Sequence, residues 1–291
     1  MKQVVFVSGK GGTGKTSVSA ALASMLDVPA VLADLDVDAA NLSLLFDTQP
    51  GREIVFMGQP RAQVQVEACS GCGKCLAACA FQAIRIENGV AKVNPLTCEG
   101  CHACTLLCPE GAISFVPHPS GVIHVQSASH QTLVHAALDV AEDNSGKLVS
   151  EVRKVARKEA ENQGANLIFM DGPPGIGCPV HAALNNVTLA VIVAEPSASG
   201  ISDFERILQL CGHFGIQTAV VINKSTLAPW LTSLVLNRCV EKNISVLGVI
   251  PFLPDVPKAL SQGKSMLSVD GLRSTMTEIH HRLMDLVHND R

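Results

Sequence analysis

An octapeptide near the start of the chain, Gly9-Lys10-Gly11-Gly12-Thr13-Gly14-Lys15-Thr16, admits few structural surroundings. It follows an apolar run, Val4-Val5-Phe6-Val7, and opens onto Ser17-Val18-Ser19-Ala20-Ala21-Leu22-Ala23, which reads as a helix. Strand, glycine loop and helix in that order make a phosphate cradle. The glycines let successive backbone N–H groups face one anion, and the helix N-terminus adds partial positive charge. In such a loop Gly11, Gly12, Thr13 and Gly14 wrap the phosphates, Lys15 neutralises the β- and γ-phosphates, and the Thr16 hydroxyl ligates Mg²⁺. A glycine-rich turn with a surface lysine is the bland alternative, and it does not require all four fixed positions in this context. The pattern implies a nucleoside triphosphate site.

The rest of the chain fits around that loop. A second short apolar strand, Ala30-Val31-Leu32-Ala33, ends in Asp34-Leu35-Asp36-Val37-Asp38. Acidic residues at the carboxyl end of a strand beside a phosphate loop are placed for Mg²⁺ and water. Strands are expected at Val122–Val125 and Thr132–Leu138, and a helix at Asn144–Gln163 with Leu148, Val152, Val155 and Ala156 on one face. Within that helix, Arg153, Lys154, Arg157 and Lys158 read as a solvated basic face. A buried strand, Asn166-Leu167-Ile168-Phe169-Met170, ends in Asp171, the pattern of a Walker B aspartate. Three further strand–helix units begin at Val187–Ala194, Thr218–Ile222 and Val246–Ile250, and a last helix covers Leu272–Val287. Such alternation predicts an α/β, doubly wound, mostly parallel sheet.

Eleven cysteines in a chain that reads as cytoplasmic call for something other than disulfides. Eight form two blocks, Cys69-x2-Cys72-x2-Cys75-x3-Cys79 and Cys98-x2-Cys101-x2-Cys104-x3-Cys108-Pro109; each cysteine of the first recurs 29 positions later, as does Ala83-Ile84. This is an internal duplication, with Ala83–Ile86 and Gly89–Val93 expected as a hairpin between the blocks. Gly58-Gln59-Pro60 and Pro117-His118-Pro119 bracket the stretch, so residues 59–117 are expected as an inserted domain within a discontinuous one, 1–58 and 118–291. Thiolates are soft anionic donors suited to iron–sulfur clusters. Two four-cysteine zinc sites compete, although zinc usually takes paired Cys-x2-Cys units across longer gaps. Cys211 and Cys239 fall in helical stretches and read as small core residues.

Two resemblances sharpen these expectations. Lys10, one residue into the loop, makes it resemble the deviant Walker A motif of the MinD/ParA/Mrp class of ATPases, which includes the nitrogenase iron protein. The resemblance implies an ATP-dependent dimer, as a homodimer or with a paralogue, in which Lys10 serves the partner's nucleotide and Lys15 its own. Residues 34–45 resemble that class's switch I. This implies that Asp36 positions the attacking water, Asp34 supports Mg²⁺ and Asn41 orders the loop; Asp38 remains a competing carboxylate for the water. Asp171-Gly172-Pro173-Pro174-Gly175 resembles switch II, with Asp171 holding Mg²⁺ through water, and Asn223 stands where relatives place an asparagine on the adenine ring. Pro251-Phe252 could line the base pocket. Cys178, seven residues after Asp171, matches the spacing of a cluster-binding cysteine in the nitrogenase iron protein, against a plain buried position before Pro179. Each cysteine block resembles the bacterial ferredoxin motif, whose fourth cysteine serves the other cluster. The implied ligand sets for two [4Fe-4S] clusters are Cys69, Cys72, Cys75 with Cys108, and Cys98, Cys101, Cys104 with Cys79. Ala80 replaces the proline that often follows the fourth cysteine.

Taken together the chain is similar to MinD-superfamily ATPases that carry an inserted ferredoxin domain. The resemblance implies an ATP- and Mg²⁺-dependent ATPase that couples a dimer switch to electron transfer and hands electrons to an unidentified redox partner. A Mrp-type cluster-assembly or carrier ATPase is the alternative, and a positioning ATPase a third. A net charge of −4 gives no electrostatic case for nucleic acid. The chain starts directly on a strand, no apolar run approaches the roughly 20 residues that span a bilayer, and the last helix lacks a basic stripe, so no membrane anchor is expected.

Overall fold

Val4, Val5, Phe6 and Val7 are wholly buried, and a strand so apolar on both faces needs helices above and below it. In the computed structural model, which describes residues 1–140, 142 and 145–288, this is what surrounds β1 (Lys2–Ser8). The chain continues through α1 (Lys15–Ala23), β2 (Ala30–Asp34) and a long strand β3 (Thr48–Met57). After a cysteine-rich stretch it returns through β8 (Pro119–Ala128) and β9 (Gln131–Leu138), then α4 (Ser145–Gln163), β10 (Leu167–Pro174), α5 (Cys178–Leu184) and β11 (Leu189–Ala194). It finishes with α6 (Ala198–His213), β12 (Gln217–Ile222), α7 (Pro229–Glu241), β13 (Ser245–Val249), α8 (Asp255–Ser261) and α9 (Leu272–His288). The intervening stretch holds β4 (Arg61–Val64), α2 (Lys74–Ala78), β5 (Ile84–Glu87), β6 (Val90–Val93), α3 (Ala103–Leu106) and β7 (Ile113–Val116).

One sheet runs β13-β12-β11-β1-β10-β2-β9-β8-β3. From β13 to β9 every described pairing is parallel. Ser129 and His130 alone join β8 to β9, a connection only an antiparallel pair allows. The α/β fold with a mostly parallel sheet is thus the one expected. β10 outruns its expected end at Asp171 because Pro174 still pairs with Ser8 and the Gly175 N–H donates to the Ser8 carbonyl at 2.8 Å. Helix α4 begins at Ser145; Asn144, where the expected helix started, lies outside the described residues, as do residues 289–291. On α4, Leu148, Val149, Val152, Ala156 and Ala160 are buried. The expected solvated face fails at Arg153, whose guanidinium turns inward to the Ala182 carbonyl (2.7 Å) and Gln3 Oε1 (2.9 Å).

The chain divides into two units, residues 1–53, 123–137 and 145–291, and residues 54–122 with 138–144. Two of the divisions fall inside β3 and β8, the strands that end just before the first proline bracket and begin at the close of the second. In the second unit β4 pairs antiparallel with β7, and β5 with β6. Ala62, Cys75, Ala83, Ile84, Ala91, Cys98, Cys104 and Ile113 form its core.

Candidate nucleotide site and cysteine cavities

In the first unit the loop after β1 closes on α1 through Gly14, whose φ of +85° is left-handed and whose missing Cβ leaves room for the Asn223 amide. Gly9 likewise lies where a Cβ would strike the Asp203 carbonyl. A cavity of about 370 Å³ opens over the loop, lined by Gly11 to Thr16, Asp36, Asn41 and Asn223, with Pro251, Phe252, Leu253 and Met266 at an apolar part of its wall. It lies at the carboxyl ends of the strands, where open parallel sheets bind ligands.

Lys15 and Thr16 converge on Asp171. The ammonium of Lys15 lies 2.9 Å from Asp171 Oδ2 and 4.0 Å from Asp36, and the hydroxyl of Thr16 donates to Asp171 Oδ2 at 2.6 Å. Ser19, not singled out by the sequence, donates to the other oxygen at 2.9 Å. Asp171 is 1% exposed, so these groups compensate a charge taken out of water. Although ion-paired, Lys15 Nζ has no acceptor in hydrogen-bond geometry, and the buried Thr13 hydroxyl has none either. Two orphaned donors on a glycine loop fit an anion of phosphate type.

Asp34 is fully buried, and its oxygens accept N–H bonds from Asp36 (3.0 Å), Asn41 (3.0 Å) and Leu42 (2.9 Å). It braces the loop that carries Asp36 to the cavity. Burial, and then the charge of Asp171, raise its carboxyl above the usual range. Burial raises Asp36 too, against the pull of Lys15. Asp36 lines the cavity, whereas Asp38 is exposed. Asn223 also lines it, and its Nδ2 donates to the Thr13 carbonyl at 2.8 Å, holding the loop from the side.

Lys10 turns back within its own chain. Its ammonium donates to Ser197 (2.9 Å) and Ser199 (3.1 Å) and lies 3.5 Å from Glu195. Glu195 also holds Lys224 at 2.7 Å, and Lys224 donates to the Gly12 carbonyl at 2.7 Å. Burial opposes the Glu195 charge, but Lys224 and then Lys10 outweigh it and keep the carboxyl below its usual range. Sequence reasoning missed Glu195, Ser197 and Ser199. Their place just past the carboxyl end of β11 was the available signal.

In the second unit the eight cysteines divide between two small cavities. Cys69, Cys72, Cys75 and Cys108 line one; Cys79, Cys98, Cys101 and Cys104 line the other. Backbone N–H groups of Ala83, Ala91 and Ala112 donate to the sulfurs of Cys79 (3.3 Å), Cys69 (3.5 Å) and Cys108 (3.3 Å). Burial raises the thiols of Cys75 and Cys104. Among the described residues, no three His, Cys, Asp or Glu side chains gather in a way that could hold one metal ion. Arg61, also unforeseen, donates from Nη1 to the Cys98 carbonyl and from Nη2 to Glu142 at 2.8 Å. Elsewhere, Cys211 and Cys239 are buried, their thiols pushed up to about 11 by burial. Cys178 is exposed, which rules out the plain buried position.

A glycine loop on β1, orphaned donors and an aspartate on the adjoining strand define a P-loop nucleotide-binding protein. Residues 4–266 match the CobQ/CobB/MinD/ParA nucleotide binding domain, and the chain belongs to that family. An uncharacterized protein of Methanocaldococcus jannaschii is 32% identical over 98% of this chain and 97% of its own. Over 19% of the chain there is 45% identity to one component of the Na(+)-translocating ferredoxin:NAD(+) oxidoreductase complex of Acetobacterium woodii, covering 17% of that protein. A ferredoxin of Pyrobaculum islandicum is 36% identical over 19% of this chain and 51% of its own. Among solved structures, the septum site-determining protein MinD of Pyrococcus horikoshii, complexed with Mg-ADP, superposes with a TM-score of 0.57 at 18% identity, covering 100% of this chain and 98% of its own. That likeness establishes the MinD-type fold. No helix of the described residues is long and apolar enough to cross a membrane.

Proposed function

We propose that this is an ATP-hydrolysing iron–sulfur protein in which a nucleotide-driven dimer switch is coupled to one-electron transfer. The observation that carries the reading is the division of eight cysteines into two thiol-only quartets, each lining its own cavity and each taking its fourth member from the other repeat. Zinc usually takes paired Cys-x2-Cys units across longer gaps, so four cysteines within eleven residues in each block favour clusters over zinc. Residues 59–117 are then a ferredoxin-type insert in an ATPase domain of residues 1–58 and 118–291. When bound, the two [4Fe-4S] clusters supply one-electron chemistry between a low-potential donor protein and an acceptor protein.

In the nucleotide site Gly11 to Gly14 present backbone donors to the phosphates, and Lys15 exchanges Asp171 for the β- and γ-phosphates. Thr16 and Asp171, already in contact, hold Mg²⁺, with Asp34 supporting the metal site through the loop it braces. Asp36 orients the attacking water, and Asn223 fixes the loop beside the base. Lys10 leaves Glu195, Ser197 and Ser199 to reach the partner's nucleotide, stabilising transition-state charge only when the dimer closes. Chain connection supports coupling: the loop bearing Asp36 and Asn41 leads through β3 straight into the cysteine-rich unit.

The test is the anaerobic ATPase rate and the mass of the ATP-bound species, with the clusters oxidised and then reduced. A rate or a dimerisation that changes with redox state is the expected result. Identical behaviour in both states defeats the coupling, and transfer of cluster iron to an apo-protein would favour the carrier alternative. Pelleting with liposomes or DNA in the presence of ATP would favour a positioning role.

A further inference from the structure

We propose that Arg61 makes the two halves of the duplicated module electrically unequal, so that the quartet of Cys79, Cys98, Cys101 and Cys104 takes up an electron before its twin. This rests on the iron–sulfur reading above. The duplication is visible in strand register: Arg61 opposite Val116 and Val64 opposite Ile113 repeat as Val90 opposite Glu87 and Val93 opposite Ile84. The offset of 29 residues that relates the cysteine blocks therefore carries Arg61 onto Val90. One repeat has a guanidinium where the other has an isopropyl group.

That guanidinium is built in. Arg61 is 6% exposed, its Nη1 donates to the carbonyl of Cys98, its Nη2 donates to Glu142 Oε2 at 2.8 Å, and its Nε has no partner. Glu142 also accepts a bond from His118 Nε2 at 3.1 Å. Burial opposes the charge of Glu142, but bonds from Ser120, Arg61 and His118 outweigh it and hold the carboxyl below the usual range. In the other repeat Val90 carries no charge, and the contact to Cys69 comes from the neutral Ala91 N–H.

A reduced cluster carries one more negative charge, so a fixed cation nearby favours reduction and raises the potential. Burial keeps solvent and salt from screening the effect. Glu142 works the other way, yet the guanidinium bonds the ligand residue directly and the carboxylate lies one group further off, so the cation dominates. The acidic linings do not decide the matter, because each cavity has one glutamate, Glu110 in the first and Glu99 in the second.

The experiment is a redox titration of the full-length, anaerobically purified protein with dithionite as one-electron reductant, followed by paramagnetic resonance. Two reduction steps are expected, separated by at least about tenfold in one-electron equilibrium constant, or about 59 mV. Cys101→Ser should alter the signal of the upper step. Arg61→Gln should lower that step by about tenfold and leave the lower one in place; Glu142→Gln should raise it. Arg61→Lys, which keeps the charge, should keep the separation and tests the idea should Arg61→Gln not fold. Coincident steps in the native protein, or glutamine variants that leave both steps unmoved, overturn the proposal. A protein that binds no iron and sulfide sinks the iron–sulfur reading itself.

Discussion

Asn223 is where a single hydrogen bond reaches function. Its Nδ2 holds the Thr13 carbonyl, and its amide fills the space that a Cβ on Gly14 would need. Asn223→Ala should cost about 1 kcal/mol of stability and weaken nucleotide binding by about fivefold. Thermal unfolding and calorimetric titration read the two effects; unchanged affinity would mean that the loop holds itself. Gly14→Ala should be far worse, because it combines a left-handed φ with a collision. A loss of more than about tenfold in nucleotide affinity is expected on equilibrium binding. Glycine spacing, Lys15 and Thr16 were legible in the sequence because a phosphate loop is local, and Asp171 because it closes a buried apolar run. What Asn223 and Lys10 touch was not, since their partners lie 210 and 187 residues away.

Among the elements, parallel strands were the most legible, being short apolar runs bounded by turn residues. Strand β3 was missed: Thr48–Met57 is mostly exposed, with Pro50 and Gly51 inside it, and forms the sheet's edge, where burial leaves no pattern to find. Arg153 shows the opposite failure, a charge that helical spacing places outside but two distant acceptors draw in. The β8–β9 hairpin gives a prediction of its own. His135 stacks on His124 with ring centroids 4.9 Å apart and bonds Gln126 at 3.1 Å. Burial, and then His124, lower its pKa from 6.5 to about 4. Between those values the unfolded chain binds a proton that the folded chain refuses. The stabilisation is therefore full above pH 6.5 and is lost as pH falls toward 4. Urea midpoints at pH 7 and pH 4.5 should differ less in His135→Gln than in the native protein; equal differences would show that His135 carries none of the slope.

At the scale of the whole molecule, the role proposed for Lys10 across the dimer predicts that binding and assembly can be separated. Lys10→Ala should leave ATP affinity within about twofold, because Lys15 and the backbone donors remain, yet abolish ATP-dependent doubling of mass. Hydrolysis should fall by roughly 10³-fold, the scale associated with a charge supplied across an interface. Light scattering with ATP and a phosphate-release assay check both, and a variant that still dimerises would assign closure to other residues. The crossed cysteines reach further. Cys79 belongs to the first repeat and lines the second cavity, and Cys108 does the reverse. On the iron–sulfur reading proposed above, neither copy of the motif is a working half: excising either one leaves the surviving cavity with three of its four cysteines and strands the fourth thiol, so the module works only as a pair.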